Sequence, residues 1–227
     1  MSRLSSRWYT SVVKPFRLLV LASGRGSHAV NLIEATREGR ISGEVVRVVS
    51  DRPDAAALTE ARALGVPDLV LAPVTPGARL GRETESALLD AARSDRADLV
   101  ALCGFMRLLS ADFLERISVP VLNVHPSLLP AFRGLNAQRQ ALAAGVRVTG
   151  VTVHFVDSGV DTGPILLQAP LEILPGDTEQ TLSDRMLPLE HRLYVEAIRL
   201  IQRGAVHREG GRVRIDPEPA AKPPAPD

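Results

Sequence analysis

Leu18-Leu19-Val20-Leu21-Ala22-Ser23-Gly24-Arg25-Gly26-Ser27-His28-Ala29 is the stretch that decides the fold. Its first five apolar residues predict a buried strand, its glycines a tight turn, and the spacing of Val30, Ile33 and Glu34 to Arg37 a helix beyond. Downstream the alternation recurs. Val45 to Val49 is β-branched, Ala55 to Leu64 is helical, Leu69 to Leu71 is strand-like, Arg82 to Arg93 is amphipathic, and Leu99 to Leu102 is apolar again. Such alternation predicts an α/β fold with a mostly parallel, Rossmann-like sheet and helices on both faces.

The C-terminal part reads differently. After a short helix at Asp112 to Arg116, Val119 to Val124 is β-like, and Pro126 and Pro130 exclude a helix from following it. Asn136 to Ala144 is helical with Gly145 as its stop. Val148 to Val156 alternates as a strand does, and Pro164 to Leu171 pairs with it antiparallel through a glycine-containing turn. Asp177 and Thr178 cap a long amphipathic helix that runs to Gly204, with Pro188 predicted to kink or break it. Val213 to Ile215 is predicted as an added edge strand.

Composition narrows the class. At 227 residues with a formal net charge of +1, the chain has no overall field to draw nucleic acid or a membrane surface. A lone cysteine, Cys103, has no disulfide or zinc partner and sits in an apolar run, which fits a buried structural thiol in a reducing compartment. No apolar stretch is long enough to span a bilayer and no secretory signal opens the chain, so the expected location is the cytoplasm. Met1 to Lys14, Arg- and Ser-rich without acids, resembles a disordered extension more than an organelle transit sequence. Residues 1–16 are expected as that extension, 17–215 as a single domain, and 216–227 as an unfolded Pro- and Ala-rich tail. Monomer and homodimer both remain open.

The glycine loop supports three readings. Backbone N–H groups of such a turn and the positive end of the following helix suit a phosphate. Gly24-Arg25-Gly26-Ser27-His28-Ala29 also fits G-x-G-x-x-A, with Asp51 where a dinucleotide-binding acid would stand. A purely structural tight turn is the third and weakest reading.

Chemistry concentrates later. Strand alternation puts Asn123 and His125 on one side of the chain, Val124 on the other, at a strand's carboxyl end. Open α/β sheets place ligands there, and Pro126 and Pro130 stiffen the exit. Asp157-Ser158-Gly159-Val160-Asp161-Thr162-Gly163-Pro164 follows a strand. Asp157 reads first as a solvated turn residue, whereas Asp161 is a site candidate.

Over roughly Arg17 to Ala205 the chain resembles the folate-dependent formyltransferase family, in its phosphoribosylglycinamide branch. Five blocks carry the resemblance: Ala22 to Ser27, Gly104-Phe105-Met106-Arg107-Leu108-Leu109-Ser110, Asn123 to Pro130, Thr149 to Val156, and Asp161-Thr162-Gly163-Pro164-Ile165. Their order and spacing together are specific, where a glycine loop alone is not.

That resemblance implies transfer of the formyl group of 10-formyltetrahydrofolate, a co-substrate, to the amine of glycinamide ribonucleotide in purine synthesis, with no metal. The substrate amine is the nucleophile, so the protein must orient two molecules, stabilise an oxyanion and deliver a proton. Asn123 would donate to the formyl oxygen, His125 would act as general acid, and Asp161 beside it would favour the imidazolium. His154 is expected as a supporting group. Gly26, Ser27, His28 and Ala29 align with contacts to the ribonucleotide phosphate, with Glu190 as a further contact. Arg82, Met106, Arg107, Leu108, Leu109, Asn123, Asp157, Ser158, Gly159, Val160 and Asp161 align with folate contacts. Read as residues alone, Met106, Leu108 and Leu109 suit a core and Arg82 and Glu190 a solvated helix face, so those roles rest on the resemblance.

One position departs from the pattern: the family commonly has Asn after Gly-Ser, and here it is His28, whose imidazole still donates to phosphate. Relatives that hydrolyse formyl folate or formylate initiator methionyl-tRNA share Asn, His and Asp but carry an added domain, for which this sequence has no spare length. The rival from another class is a nicotinamide-linked oxidoreductase, resting on the glycine loop and Asp51. A catalytically silent binding protein is disfavoured by the intact Asn123, His125 and Asp161.

Overall fold

The computed structural model describes residues 15–71, 79–209 and 211–217. The expected N-terminal extension and C-terminal tail lie outside those residues except at their inner ends. There β1 (Phe16–Leu21) opens two residues before the apolar run, and the Asp216 N–H donates to the Ala205 carbonyl at 2.8 Å.

Alternation along β1 explains the two layers of core. Leu18 and Val20 pack with Ala29, Leu32 and Ile33 of α1 (Ser27–Arg37), whereas Leu19 and Leu21 face Leu88, Leu89 and Ala92 of α3 (Arg82–Ser94). Those four β1 side chains are fully buried, each contributing about 1.5–3 kcal/mol over an exposed state. Around β1 lie β2 (Gly43–Ser50), α2 (Ala56–Ala63), β3 (Asp68–Val70), β4 (Leu99–Leu102), α4 (Ala111–Arg116) and β5 (Val121–His125). Next come α5 (Ala137–Ala143), β6 (Val148–Phe155), β7 (Ile165–Glu172) and α6 (Glu179–Gln202).

The seven strands follow the order β3-β2-β1-β4-β5-β6-β7. β1 to β5 are parallel, and β6 and β7 run antiparallel. The mostly parallel sheet with an antiparallel C-terminal part therefore stands as predicted. Strand order reverses between β1 and β4, opening a crevice at their carboxyl ends, where open α/β sheets hold ligands. The glycine loop and the Gly104 to Ser110 block leave those two ends.

Two expectations are revised: of the kink or break read at Pro188 the break is absent, and the C-terminal edge strand lies elsewhere. Pro188 does not break α6, which runs unbroken from Glu179 to Gln202. A helix-interior proline costs roughly 3 kcal/mol, but Leu182, Met186, Leu189, Tyr194 and Ile198 are all buried along this helix and outweigh it. The helix starts on a capping box, with the Thr181 N–H donating to Thr178 Oγ1 at 3.2 Å and the Thr178 N–H to Thr181 Oγ1 at 2.9 Å. Second, Val213 to Ile215 is not an edge of the main sheet. It belongs to β9 (Arg212–Ile215), which pairs only with β8 (Val206–Glu209) in a separate antiparallel hairpin. Local β-propensity marks a strand but not its partner.

Tyr194 ties α6 to the sheet. Its buried hydroxyl lies 3.1 Å from the Leu102 carbonyl and 3.0 Å from that of Leu122, so one proton is shared between β4 and β5 just before the site. At the other end of the crevice, Gly26 has φ +86° and a Cβ placed there would lie 2.6 Å from the Ala57 Cα. Gly24 has nothing within 4 Å of such a Cβ. Gly26→Ala is therefore expected to destabilise the fold by at least about 1–2 kcal/mol in urea unfolding, with Gly24→Ala within about 0.5 kcal/mol of the parent.

Candidate active site

β5 delivers Asn123 and His125 to one face, as its two-residue period requires. The antiparallel pairing with β6 then sets Asn123 directly opposite His154. Asn123 Nδ2 lies 3.2 Å from His154 Nε2 and 3.5 Å from Asp161 Oδ1. His154 is buried, its Nδ1 2.9 Å from the Phe155 carbonyl, so the ring is fixed between β6 and Asn123.

Asp161 arrives from the loop between β6 and β7. That loop turns through Asp157, whose Oδ1 accepts from the Gly159 N–H at 3.1 Å and the Thr162 hydroxyl at 2.7 Å, an Asx turn. Gly163 is required, because a Cβ there would meet the Phe155 carbonyl oxygen at 1.9 Å. The turn leaves Asp161 in the left-handed region at φ 51°, an uncommon conformation for a residue with a side chain, with its carboxylate facing both histidines. Asp161 Oδ2 lies 3.3 Å from His125 Nδ1 and accepts from the Gly134 N–H at 2.8 Å; Oδ1 lies 3.5 Å from His154 Nε2.

Burial alone pushes the Asp161 carboxyl up. The hydrogen bond to His154, the Gly134 N–H and the charges of His125 and His154 outweigh it and hold the group below the usual carboxylate range. His125 thus has an ionised oxygen at Nδ1 and the Phe132 carbonyl 2.9 Å from Nε2. Each ring nitrogen of His125 therefore faces an oxygen. The loop after His125 is pinned in turn: the Thr152 hydroxyl donates to the Ser127 carbonyl at 2.6 Å and accepts from the Leu129 N–H at 3.0 Å.

A cleft beside these groups is lined on its apolar side by Leu102, Phe105, Leu108, Leu109, Val156 and Val160, and on its polar side by Arg107, Asn123, His154, Asp157, Gly159 and Asp161. Of the residues expected to touch folate, Arg107, Leu108, Leu109, Asn123, Asp157, Gly159, Val160 and Asp161 meet here. Three do not. Arg82 is exposed at the start of α3, in a separate groove with Glu85, Asp112 and Arg116. Met106 is 58% exposed and Ser158 is exposed, and neither lines the cleft. The core and site readings of Leu109 both hold, since it is 4% exposed and borders the cleft. For Asp157 the turn reading and the cleft reading likewise coincide.

Several participants were invisible to sequence reasoning. The Phe132 carbonyl and Gly134 N–H act through backbone atoms, which no residue type announces. Leu102, Phe105 and Val156 read as ordinary apolar residues, although Phe105 and Val156 stand inside blocks already singled out.

The first loop forms a second half of the site. The N-cap of α1 is Gly26, with no side-chain cap and no acid in the first turn, so the leading N–H groups are open to an anion. His28 Nε2 lies 3.0 Å from Glu190 Oε2 on α6, which brings the expected pair together. Asp51 is not available to a ribose: it is 4% exposed, with Oδ1 accepting from the Ser23 hydroxyl at 2.5 Å and Oδ2 from Arg107 Nε at 2.7 Å. The acid on which the nicotinamide reading rested is spent tying the glycine loop to the Met106 block. That block is held from its other side by Glu85, which accepts from the Ser110 N–H and hydroxyl, each at 2.7 Å.

Nothing among the described residues offers an activated nucleophile at the cleft. The Ser127 hydroxyl is buried and donates to the Ala131 carbonyl at 2.6 Å, and burial pushes the Cys103 thiol far up, away from thiolate chemistry. The described residues also contain no cluster of three or more His, Cys, Asp or Glu able to hold a metal ion, and no helix among them is long and apolar enough to cross a membrane.

An amide donor, two imidazoles and an aspartate held ionised, beside an apolar cleft, make up a site suited to group transfer. The formyl transferase family matches residues 16–198, and the chain belongs to it. It is 45% identical to phosphoribosylglycinamide formyltransferase of Mycobacterium tuberculosis over 81% of this chain and 84% of that one. It also superposes on glycinamide ribonucleotide transformylase 1 of Symbiobacterium toebii with a TM-score of 0.83, at 48% identity, over 89% of this chain and 95% of the other. With the trifunctional purine biosynthetic protein adenosine-3 of Bos taurus it shares 41% identity over 88% of its own length, spanning 20% of that longer chain.

The Asp161 environment has a consequence for stability. Its carboxyl is depressed in the folded state, so its contribution is fully present above the unfolded value near pH 4 and is lost as pH falls through the lower folded value. Asp161→Asn should therefore show a weaker loss of stability below about pH 4 than the parent, read from urea midpoints across an acid series; parallel curves would contradict it.

Proposed function

We propose that this protein transfers the formyl group of 10-formyltetrahydrofolate to the amine of glycinamide ribonucleotide, giving N-formylglycinamide ribonucleotide and tetrahydrofolate. The observation that carries the reading is the joint presence of the Asn123, His125 and Asp161 constellation and the open α1 N-terminus with Glu190 beside it, in a chain so similar to enzymes named for this reaction. An acceptor bearing a phosphate and a donor bearing an apolar ring system need two such half-sites.

The residues divide the work along chemical lines. The glycinamide nitrogen attacks the formyl carbon, forming the new C–N bond and placing negative charge on the former carbonyl oxygen. The Asn123 amide and the His125 ring are suited to stabilise that oxygen. Breaking the bond to the folate nitrogen requires that nitrogen to gain a proton, while the attacking amine loses one; His125 is the group to relay it, with Asp161 facing its Nδ1. Gly26, Ser27, His28 and Ala29 take the phosphate. The apolar wall from Leu102 to Val160 takes the folate ring, with Arg82, Met106 and Ser158 as outer contacts beyond the cleft itself. Both ligands are small molecules, and the reading places the reaction in the cytoplasm.

Purified protein given both substrates should show an absorbance change that requires each of them; no change with both present would refute the assignment. Asn123→Ala should lower kcat about 10²–10³-fold, the loss typical of an oxyanion donor, with the fold intact by circular dichroism.

A further inference from the structure

The sheet forks at the root of the cleft. Leu102 opposite Asn123 is the last pair between β4 and β5. Beyond it the β4 chain stays with β1, the Cys103 N–H donating to the Leu21 carbonyl at 2.7 Å, and turns away at Gly104, whose φ is 67°. β5 runs on against β6 instead, pairing Asn123 with His154 and His125 with Thr152. Leu102, Phe105 and Asn123 all border the cleft, so the opening of this fork separates the apolar wall from the amide donor.

Tyr194 of α6 reaches this fork from outside the sheet. It is fully buried, with its hydroxyl 3.1 Å from the Leu102 carbonyl and 3.0 Å from the Leu122 carbonyl. The first carbonyl belongs to the peptide that leads into Cys103 and the Gly104 turn, the second to the peptide that carries Asn123. Burial pushes the phenol well above its ordinary range, so it keeps its proton, and carbonyls can only accept. A single donor therefore draws together the two chains that part here. An apolar ring would fill the same cluster, with Ala101, Cys103, Leu122 and Ile198, without the cost of burying a hydroxyl, so the oxygen serves something other than packing.

We infer that Tyr194 is a positioning residue for formyl transfer: its hydroxyl fixes the width of the fork between β4 and β5, and thereby the place of Asn123 against the apolar wall. The transfer itself rests on the function proposed above; the fork does not. An oxyanion donor acts only where its N–H meets the developing charge, and a small displacement of such a group costs rate. The acceptor's phosphate is assigned to the glycine loop after β1, which the hydroxyl does not touch. Loss of that oxygen should therefore slow turnover and leave binding of the ribonucleotide as it was.

Steady-state kinetics and hydrogen exchange on the full chain test this with two variants. Tyr194→Phe removes one oxygen, and Ile198→Val removes a methyl group from the same buried face of α6, one turn further on. Tyr194→Phe should lower kcat about tenfold, the effect of roughly 1.4 kcal/mol, with KM for glycinamide ribonucleotide within about twofold of the parent. Ile198→Val loosens the core but leaves the hydroxyl in place, and should keep kcat within about twofold. In the ligand-free chain, deuterium uptake over Val121 to His125 should be at least about threefold faster in Tyr194→Phe than in Ile198→Val. An unchanged kcat in Tyr194→Phe, an equal fall in both variants, a rise in the ribonucleotide KM as large as the fall in kcat, or equal uptake overturns the inference. Should Tyr194→Phe not fold, the parent chain grown with 3-fluorotyrosine, a stronger hydrogen-bond donor, replaces it: slower uptake over the same segment is expected, and unchanged uptake overturns the inference. Should the parent fail to formylate the ribonucleotide, the function proposed above falls, and the exchange comparison by itself decides whether the hydroxyl holds the fork.

Discussion

One carboxylate organises the chemistry of this protein. Asp161 accepts from a backbone N–H of the loop after β5 and faces two histidines and an asparagine, each from a different strand position. Four separate contacts on two oxygens leave it little freedom, and their combined favour for the anion exceeds the burial that opposes it. With Asp161 ionised, the His125 ring is held between that carboxylate and the Phe132 carbonyl, and Asn123 is held between Asp161 and His154. Neutralising Asp161 would therefore loosen a donor set rather than delete one member of it, which is why the groups are better described as a network than as three independent residues.

That carboxylate reaches its place only because of backbone choices around it. Asp157 folds the β6–β7 loop upon itself, Gly163 lets the chain pass the Phe155 carbonyl, and Asp161 takes a left-handed conformation. On the other side of the crevice, the Ser23, Asp51 and Arg107 chain joins the glycine loop to the block that walls the cleft. The glycine loop and the wall of the cleft are thus stitched together at the point where the strand order reverses, the position an open α/β sheet offers for ligands.

Much of this was legible in the chain. Most strands and helices followed from apolar periodicity, and the pairing of Asn123 with His125 on one face followed from their lying two residues apart on a strand that runs into proline. Asp161 stood out by its loop. Failures came where partners are far apart in sequence. Asp51 looked like a ribose-binding acid because its position fits one, and its true partners, Ser23 and Arg107, lie 28 and 56 residues away. Arg82 is in the right stretch of chain yet turns to a different groove. Pro188 obeys its local cost, but the buried face of α6 overrides it.

The sequence by itself determined the order of elements from β1 to α6, the parallel character of the first five strands and the identity of the candidate groups at the cleft. These depend on side-chain period and residue type, which are local properties. Tertiary structure alone decided which carboxylate serves the site and which is spent on scaffolding, because Asp51, Asp157 and Asp161 are chemically alike and differ only in their neighbours. It also decided that Phe132 and Gly134 join the site through their backbones, and that His28 meets Glu190 across 162 positions of chain, at 3.0 Å. Contacts of that kind arise from packing one helix against another, and no spacing along the chain encodes them.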